Sequence, residues 1–122
     1  MSELKILSMN CRGLGEQSKR RDVLNYLKSK NYSIYCVQDT HFTKEEENYI
    51  RACWGYDIYM SPGRSNARGV AVLLNNNFDC RVTKQKSDNE GNLIILEIII
   101  EEKHKILLLK HVNCYFYPNP FI

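Results

Sequence analysis

Leu4-Lys5-Ile6-Leu7-Ser8-Met9-Asn10-Cys11-Arg12-Gly13-Leu14 and Ser33-Ile34-Tyr35-Cys36-Val37-Gln38-Asp39-Thr40-His41 decide how the chain reads. Each is a short apolar run that ends on a polar mark, and each reads as a strand running into a turn. Between them Ser18 is placed to cap a helix from about Lys19 to Ser29, with Val23, Leu24 and Leu27 as its buried stripe. Ile34 to Val37 carries no charge, as a strand buried in a parallel sheet should. Strand, helix, strand puts Asn10 and Asp39 side by side at the carboxyl ends of two neighbouring strands. That edge is where open α/β sheets hold ligands and metals.

The first turn of this helix carries Lys19, Arg20 and Arg21, which oppose the helix macrodipole. Solvation accounts for them, or a bound phosphate does. Downstream, Thr43 and Glu46 form a capping-box pattern that opens a second helix over about Lys44 to Cys53, with Tyr49, Ile50 and Cys53 on its apolar face. Trp54 to Met60 extends into a strand, Ser61 to Arg68 is a loop, and Gly69 to Leu74 is a buried strand. Ser87-Asp88-Asn89-Glu90-Gly91 is a hairpin signal between Cys80–Lys86 and Leu93–Ile100. Glu101 to Lys105 turns the chain into a last strand, Ile106 to Tyr115. The order is βαβα and then antiparallel strands, an α/β chain that forms one domain.

Of the 122 residues, 43% are apolar and 25% charged, which fits a folded domain rather than a disordered one. The net charge of +3 is compatible with a polyanionic partner without requiring one. Five cysteines with no CxxC spacing read as small buried hydrophobes in a reduced protein, ahead of zinc or a disulfide framework. Met1 is not followed by an apolar signal segment, and no apolar run reaches the roughly 20 residues of a membrane span. A nuclear or cytoplasmic location is the resulting expectation, with no membrane partner.

Asn10 and Asp39 supply an amide and a carboxylate, ligands suited to a hard cation such as Mg²⁺, or else they are ordinary turn residues. His41 is a base or, as the plainer reading, a loop histidine making a backbone hydrogen bond; His104 and His111 have no partner legible in the sequence. Arg64, Asn66 and Arg68 form a basic loop that either touches a nucleic-acid backbone or is simply solvated. Tyr115 ends the last strand, to bind phosphate or to close the sheet.

Several ordered motifs narrow these alternatives. Leu7-Ser8-Met9-Asn10-Cys11-Arg12-Gly13-Leu14, Lys19-Arg20-Arg21-Asp22-Val23-Leu24-Asn25-Tyr26-Leu27 and Cys36-Val37-Gln38-Asp39-Thr40-His41-Phe42 come first. Next along the chain are Trp54-Gly55, Arg68-Gly69-Val70-Ala71-Val72-Leu73, Asp88-Asn89-Glu90-Gly91, Val112-Asn113-Cys114-Tyr115 and Pro118-Asn119. Together they resemble the start of the endonuclease/exonuclease/phosphatase family, in the form found as the apurinic-type endonuclease domain of LINE-type (non-LTR) retrotransposons. The resemblance implies a four-layer α/β sandwich of two sheets with helices outside, of which this chain is the N-terminal half. It implies phosphodiester hydrolysis of DNA with Mg²⁺, or Mn²⁺, in a domain usually fused to a reverse transcriptase. It assigns Asn10 to orienting the active-site groups, Asp39 to the metal and Tyr115 to the scissile phosphate; with DNA as substrate, the basic loop would put Arg64 and Arg68 near its backbone.

Three departures accompany the resemblance. Asp39 stands where most members carry glutamate. Two residues, Phe116 and Tyr117, separate Tyr115 from Pro118 where the family has one; the register of Val112-Asn113-Cys114-Tyr115 favours an insertion over Phe116 taking the tyrosine position. The family's Gly-Asp-Phe-Asn segment and closing Asp-His pair do not occur. The expectation is therefore a partial domain, 1–122, that does not cleave by itself and covers about one of the two sheets. A non-catalytic domesticated remnant or binding module, or a relative acting on another phosphoester, are the alternatives.

Overall fold

A computed structural model describes residues 4–110 and 113–118; His111, Val112 and Asn119 of the sequence motifs lie outside the described residues. β1 (Ile6–Asn10), α1 (Gln17–Lys30) and β2 (Ile34–Gln38) form the expected unit, with β1 and β2 parallel and Asn10 opposite Gln38. A 3-10 turn (Lys44–Glu46) leads into α2 (Glu47–Trp54), then β3 (Ile58–Ser61) and β4 (Val70–Leu74). These complete a first sheet of order β1-β2-β4-β3, with β4 antiparallel to both of its neighbours. β5 (Arg81–Ser87), β6 (Leu93–Ile100), β7 (Lys103–Lys110) and β8 (Cys114–Pro118) form a second, antiparallel sheet in sequence order.

The chain thus contributes four strands to each of two sheets, not roughly one sheet as the sequence suggested. The sequence reading also fused β7 and β8 into one strand. They are a hairpin, closed by the Lys110 N–H donating to the Asn113 carbonyl at 2.7 Å. Continuous apolar residues on both sides of that turn hid it from a reading by periodicity.

Every residue of β2 and β4 is buried, because the first sheet is covered on both faces. Tyr35, Val37, Ala71 and Leu73 pack under Leu24, Leu27, Ile50 and Trp54 of the helices. Ile34, Cys36, Val70, Val72 and Leu74 face Ile94, Leu96, Ile98, Leu107 and Leu109 of the second sheet. The layers are helix, sheet, sheet. The Trp54 indole N–H donates to the Leu74 carbonyl at 3.1 Å, which satisfies the one polar atom this large ring takes into the core.

The helix starts show where local signals were overruled. α1 begins at Gln17, with Glu16 at the cap position and no side-chain cap; the Ser18 hydroxyl instead donates to Glu16 at 2.6 Å. Arg20, read from sequence as a solvated or phosphate-binding cation, is buried. Its Nη2 donates to Glu46 Oε2 at 2.7 Å and its Nε to the Leu14 carbonyl at 3.0 Å. Glu46 also completes the expected capping box with Thr43, so one carboxylate both starts the second helical segment and clamps it to α1. Arg20 and Thr43 hold Glu46 below the usual carboxylate range, although burial by itself pushes it up.

Asp88 organises the turn between β5 and β6. Its Oδ1 accepts the Ser61 hydroxyl at 2.7 Å and the N–H groups of Glu90, Asn92 and Leu93 at 3.1–3.4 Å. Burial raises its pKa, and these donors together more than reverse that and lower it. A carboxylate depressed in the folded state adds stability that is present above its unfolded pKa and lost as pH falls through the folded value. Asp88→Ala is therefore expected to cost about 1–3 kcal/mol at neutral pH, with the deficit shrinking as the pH falls below the ordinary carboxylate range. Urea denaturation at neutral and acid pH reads both; an equal deficit at both would refute the charge contribution.

Candidate functional site

The parallel pairing of β1 and β2 continues past the ends of the strands. The N–H groups of Cys11, Gly13 and Leu14 donate to the carbonyls of Gln38, Asp39 and Thr40 at 2.7–2.8 Å. Two loops that would otherwise wander are thereby laid side by side. From the other side, Thr40 N–H donates to Gly69 at 3.0 Å and His41 N–H to Arg68 at 2.8 Å. The end of β2 is held by the first loop and by the basic loop at once.

Asn10 and Asp39 both sit at this edge, as the sequence implied. The Asn10 Oδ1 accepts the Arg12 N–H at 2.9 Å, which fixes the amide over its own turn. Asp39 has φ +53° and His41 φ +60°, left-handed conformations that turn both side chains back toward each other. The result is a bond of 2.8 Å between His41 Nε2 and Asp39 Oδ1, with both side chains part-buried. His41 was not among the expected site residues. Its spacing two residues from Asp39 was visible, but the backbone conformation that closes the pair was not.

The surroundings of this pair are cationic. Arg12, Arg64 and Arg68 are exposed, and the Lys19 ammonium donates to the Arg12 carbonyl at 3.3 Å. Arg64 and Ala67 exchange backbone hydrogen bonds, so the basic loop is a tight turn and not a loose arm. Cys11 lies beneath the edge with its thiol pushed up to about 12, chiefly by burial, with Lys19 working against the shift and Asp39 adding to it. It stays a protonated hydrophobe and is no ligand at neutral pH.

Gln38, the last residue of β2, is buried and donates through Nε2 to the Ser8 hydroxyl at 2.8 Å, bridging β1 and β2 just inside the site. Tyr115 is placed differently. It pairs with Leu108, while its neighbours Cys114 and Phe116 pair with Leu109 and Leu107 and pack into the core between the sheets. Tyr115 therefore points to the outer face of the second sheet, 45% exposed, with the Lys110 ammonium 5.9 Å from its ring centre. The structure places Asn10 and Asp39 at one sheet edge, bonds the backbone of the loop carrying Arg64 and Arg68 against the segment 40–42, and does not turn Tyr115 toward them.

No protein-family model matches the chain. Its backbone is similar to that of AP endonuclease LMAP from Leishmania major (TM-score 0.70, 16% identity, 90% of this chain and 40% of that one). It is similar also to the APE2 catalytic domain of Xenopus laevis (TM-score 0.62, 20% identity, 90% and 45%). An endonuclease/exonuclease/phosphatase family protein from Leptotrichia buccalis gives TM-score 0.61 at 14% identity, over 91% and 55%. The chain has the α/β-sandwich fold of these proteins, and it spans about half of their length.

Close packing at this edge makes a glycine test available. Gly69 has φ +102°, and a Cβ there would collide with Thr40 Oγ1; Gly55 has φ +84° with open space around it. Gly55→Ala should cost about 1 kcal/mol for the backbone alone, and Gly69→Ala about 2 kcal/mol more for the clash. Equal losses in urea denaturation would show that the loop 63–69 is not held tightly against the end of β2.

Proposed function

We propose that this chain forms the N-terminal half of a metal-dependent phosphodiesterase acting on DNA, of the kind that opens LINE-type retrotransposon proteins. One observation carries the reading: Asn10 and the Asp39–His41 pair lie at the carboxyl ends of adjacent parallel strands, with the backbone of the loop that carries Arg64 and Arg68 bonded alongside. The sequence motifs supply the retrotransposon type, and the shared fold supplies a precedent among AP endonucleases.

The donor set suits a hard divalent cation in kind. Mg²⁺ takes oxygen ligands, typically one or two carboxylates with water for the rest. Asp39 has its second carboxylate oxygen left when His41 holds the first. Among the described residues no cluster of three or more His, Cys, Asp or Glu side chains is present. Asp39 would hold Mg²⁺, or Mn²⁺, with water in the remaining positions. A bound ion there polarises a phosphoryl oxygen and stabilises the charge that develops on it.

The chain's own residues then have separate tasks. His41 orients the Asp39 carboxylate through its hydrogen bond, as outer partners of metal ligands do. Asn10 lies beside it as a polar group facing the same edge. Arg64 and Arg68, on a rigid turn, meet phosphates of the DNA backbone without reading its sequence. The contact of Tyr115 with the scissile phosphate remains part of the family-based proposal, and its outward placement lends that part no support. In this reading Asp39 is committed to metal and histidine, and no second carboxylate among the described residues is assigned to take a proton from water. The 122-residue chain is expected not to nick DNA by itself. In the intact domain, hydrolysis would leave a 3′-hydroxyl for a fused reverse transcriptase to extend.

Binding of Mn²⁺ followed by electron paramagnetic resonance tests the metal assignment. Asp39→Ala should weaken binding by roughly tenfold or more, and Asp39→Glu, which restores the usual residue, should retain it. Arg64→Ala with Arg68→Ala should reduce affinity for duplex DNA and flatten its salt dependence by about two phosphate contacts. Supercoiled plasmid with Mg²⁺ should stay intact. Nicking that disappears in Asp39→Ala would overturn the expectation of inactivity, and the absence of both Mn²⁺ and DNA binding would sink the reading as a whole.

A further inference from the structure

Two of the chain's five cysteines meet across the core. Cys36 stands in the middle of β2, fully buried, facing the second sheet. Cys114 opens β8, part-buried, and faces back into the same core from the edge of that sheet. Their sulfurs are 2.9 Å apart and share a hydrogen bond, although 78 residues separate them in sequence. The other three cysteines have no such neighbour among the described contacts. Cys11 lies on the helix side of the first sheet, Cys53 on α2, and Cys80 just before β5. A disulfide bond is about 2.05 Å long, so closing this pair asks the sulfurs to approach by only about 0.9 Å.

We propose that Cys36 and Cys114 are a modification site, a thiol pair that closes into a reversible disulfide joining the two sheets. Nothing in the phosphodiesterase reading requires it, and it stands whether or not that reading holds. The pair has an asymmetry suited to stepwise exchange. The hydrogen bond shared with Cys36 lowers the Cys114 pKa against the effect of burial, and the same bond together with burial raises that of Cys36. Cys114, the less buried of the two, is thus the thiol that ionises first and meets a reagent from solvent.

The oxidant is a low-molecular-weight disulfide such as oxidised glutathione. The Cys114 thiolate attacks one of its sulfurs, forming a mixed disulfide and expelling one glutathione thiolate. Cys36 then attacks the Cys114 sulfur, its proton passing to the glutathione thiolate that is expelled as the second thiol. Two protein thiols are oxidised, one glutathione disulfide is reduced to two thiols, and dithiothreitol reverses the exchange. The bond would tie the edge strand β8 to β2, the strand whose end presents Asp39.

The test uses the 122-residue chain, incubated with oxidised glutathione, quenched by alkylation and mapped without reduction by mass spectrometry. The expected product has lost two hydrogens, about 2 Da, with Cys36 and Cys114 linked as the dominant pair. Its melting temperature should rise by roughly 10 °C and return on reduction. In Cys36→Ser, glutathione should remain attached to Cys114. Glutathione persisting on Cys114 in the unaltered chain, linkage spread over Cys11, Cys53 and Cys80, or both thiols remaining free to alkylate would each overturn the proposal. The map of the unaltered chain decides the matter even if the Cys36 variant does not fold.

Discussion

The hydrogen-bond ladder between the β1 and β2 strands does not stop where the strands stop, and most of the site depends on that. Three further bonds, from Cys11, Gly13 and Leu14 to Gln38, Asp39 and Thr40, carry the pairing into the loops. A backbone so constrained has few ways to satisfy its remaining groups. Asp39 and His41 adopt left-handed conformations, and Gly69 fits against Thr40 without a side chain. Non-glycine residues with positive φ cost energy that surrounding structure must offset. Here the offset comes from two flanks at once, because Thr40 and His41 also donate to Gly69 and Arg68.

The same ladder explains how much of the site was legible in the sequence. Asn10 and Asp39 could be placed together because strand–helix–strand units have one dominant handedness and put carboxyl ends on one edge. The capping box of Thr43 and Glu46 and the turn at Asp88 were equally readable, being local patterns that local geometry obeys. What could not be read were contacts between distant segments. Arg20 looked like a misplaced cation at a helix start, and its partner Glu46 is 26 residues away. The division into two sheets was hidden for a related reason. Strands buried on one face or two look alike when apolar residues run almost continuously, as in Leu93–Ile100, broken only by Glu97, and in Ile106–Leu109.

His41 shows how a residue's role depends on the conformation of its neighbours. Separated by one residue in an extended chain, Asp39 and His41 would point the same way with their tips several ångströms apart. Two left-handed residues around a buried Thr40 fold them into a 2.8 Å contact. Aspartate, one methylene shorter than glutamate, keeps its carboxylate close to the backbone and within reach of that histidine. The Asp39 carboxylate thus has one oxygen committed to His41, and its orientation is set by the backbone around it.

Parity along β8 carries a similar argument for the second sheet. Side chains alternate faces along a strand, so a slip of one residue reverses every assignment. Cys114 faces Cys36 across the core, and Phe116, two residues on, shares that face. Tyr115 must then look outward, whatever motif it matches in sequence. An extra residue before Pro118 shifts the proline along the chain, but it leaves the parity of Cys114 and Tyr115 untouched. The sulfur contact between the sheets is thus also a register mark: as long as Cys114 sits against β2, the aromatic residue of β8 that faces the core is Phe116, which has no hydroxyl to offer a phosphate.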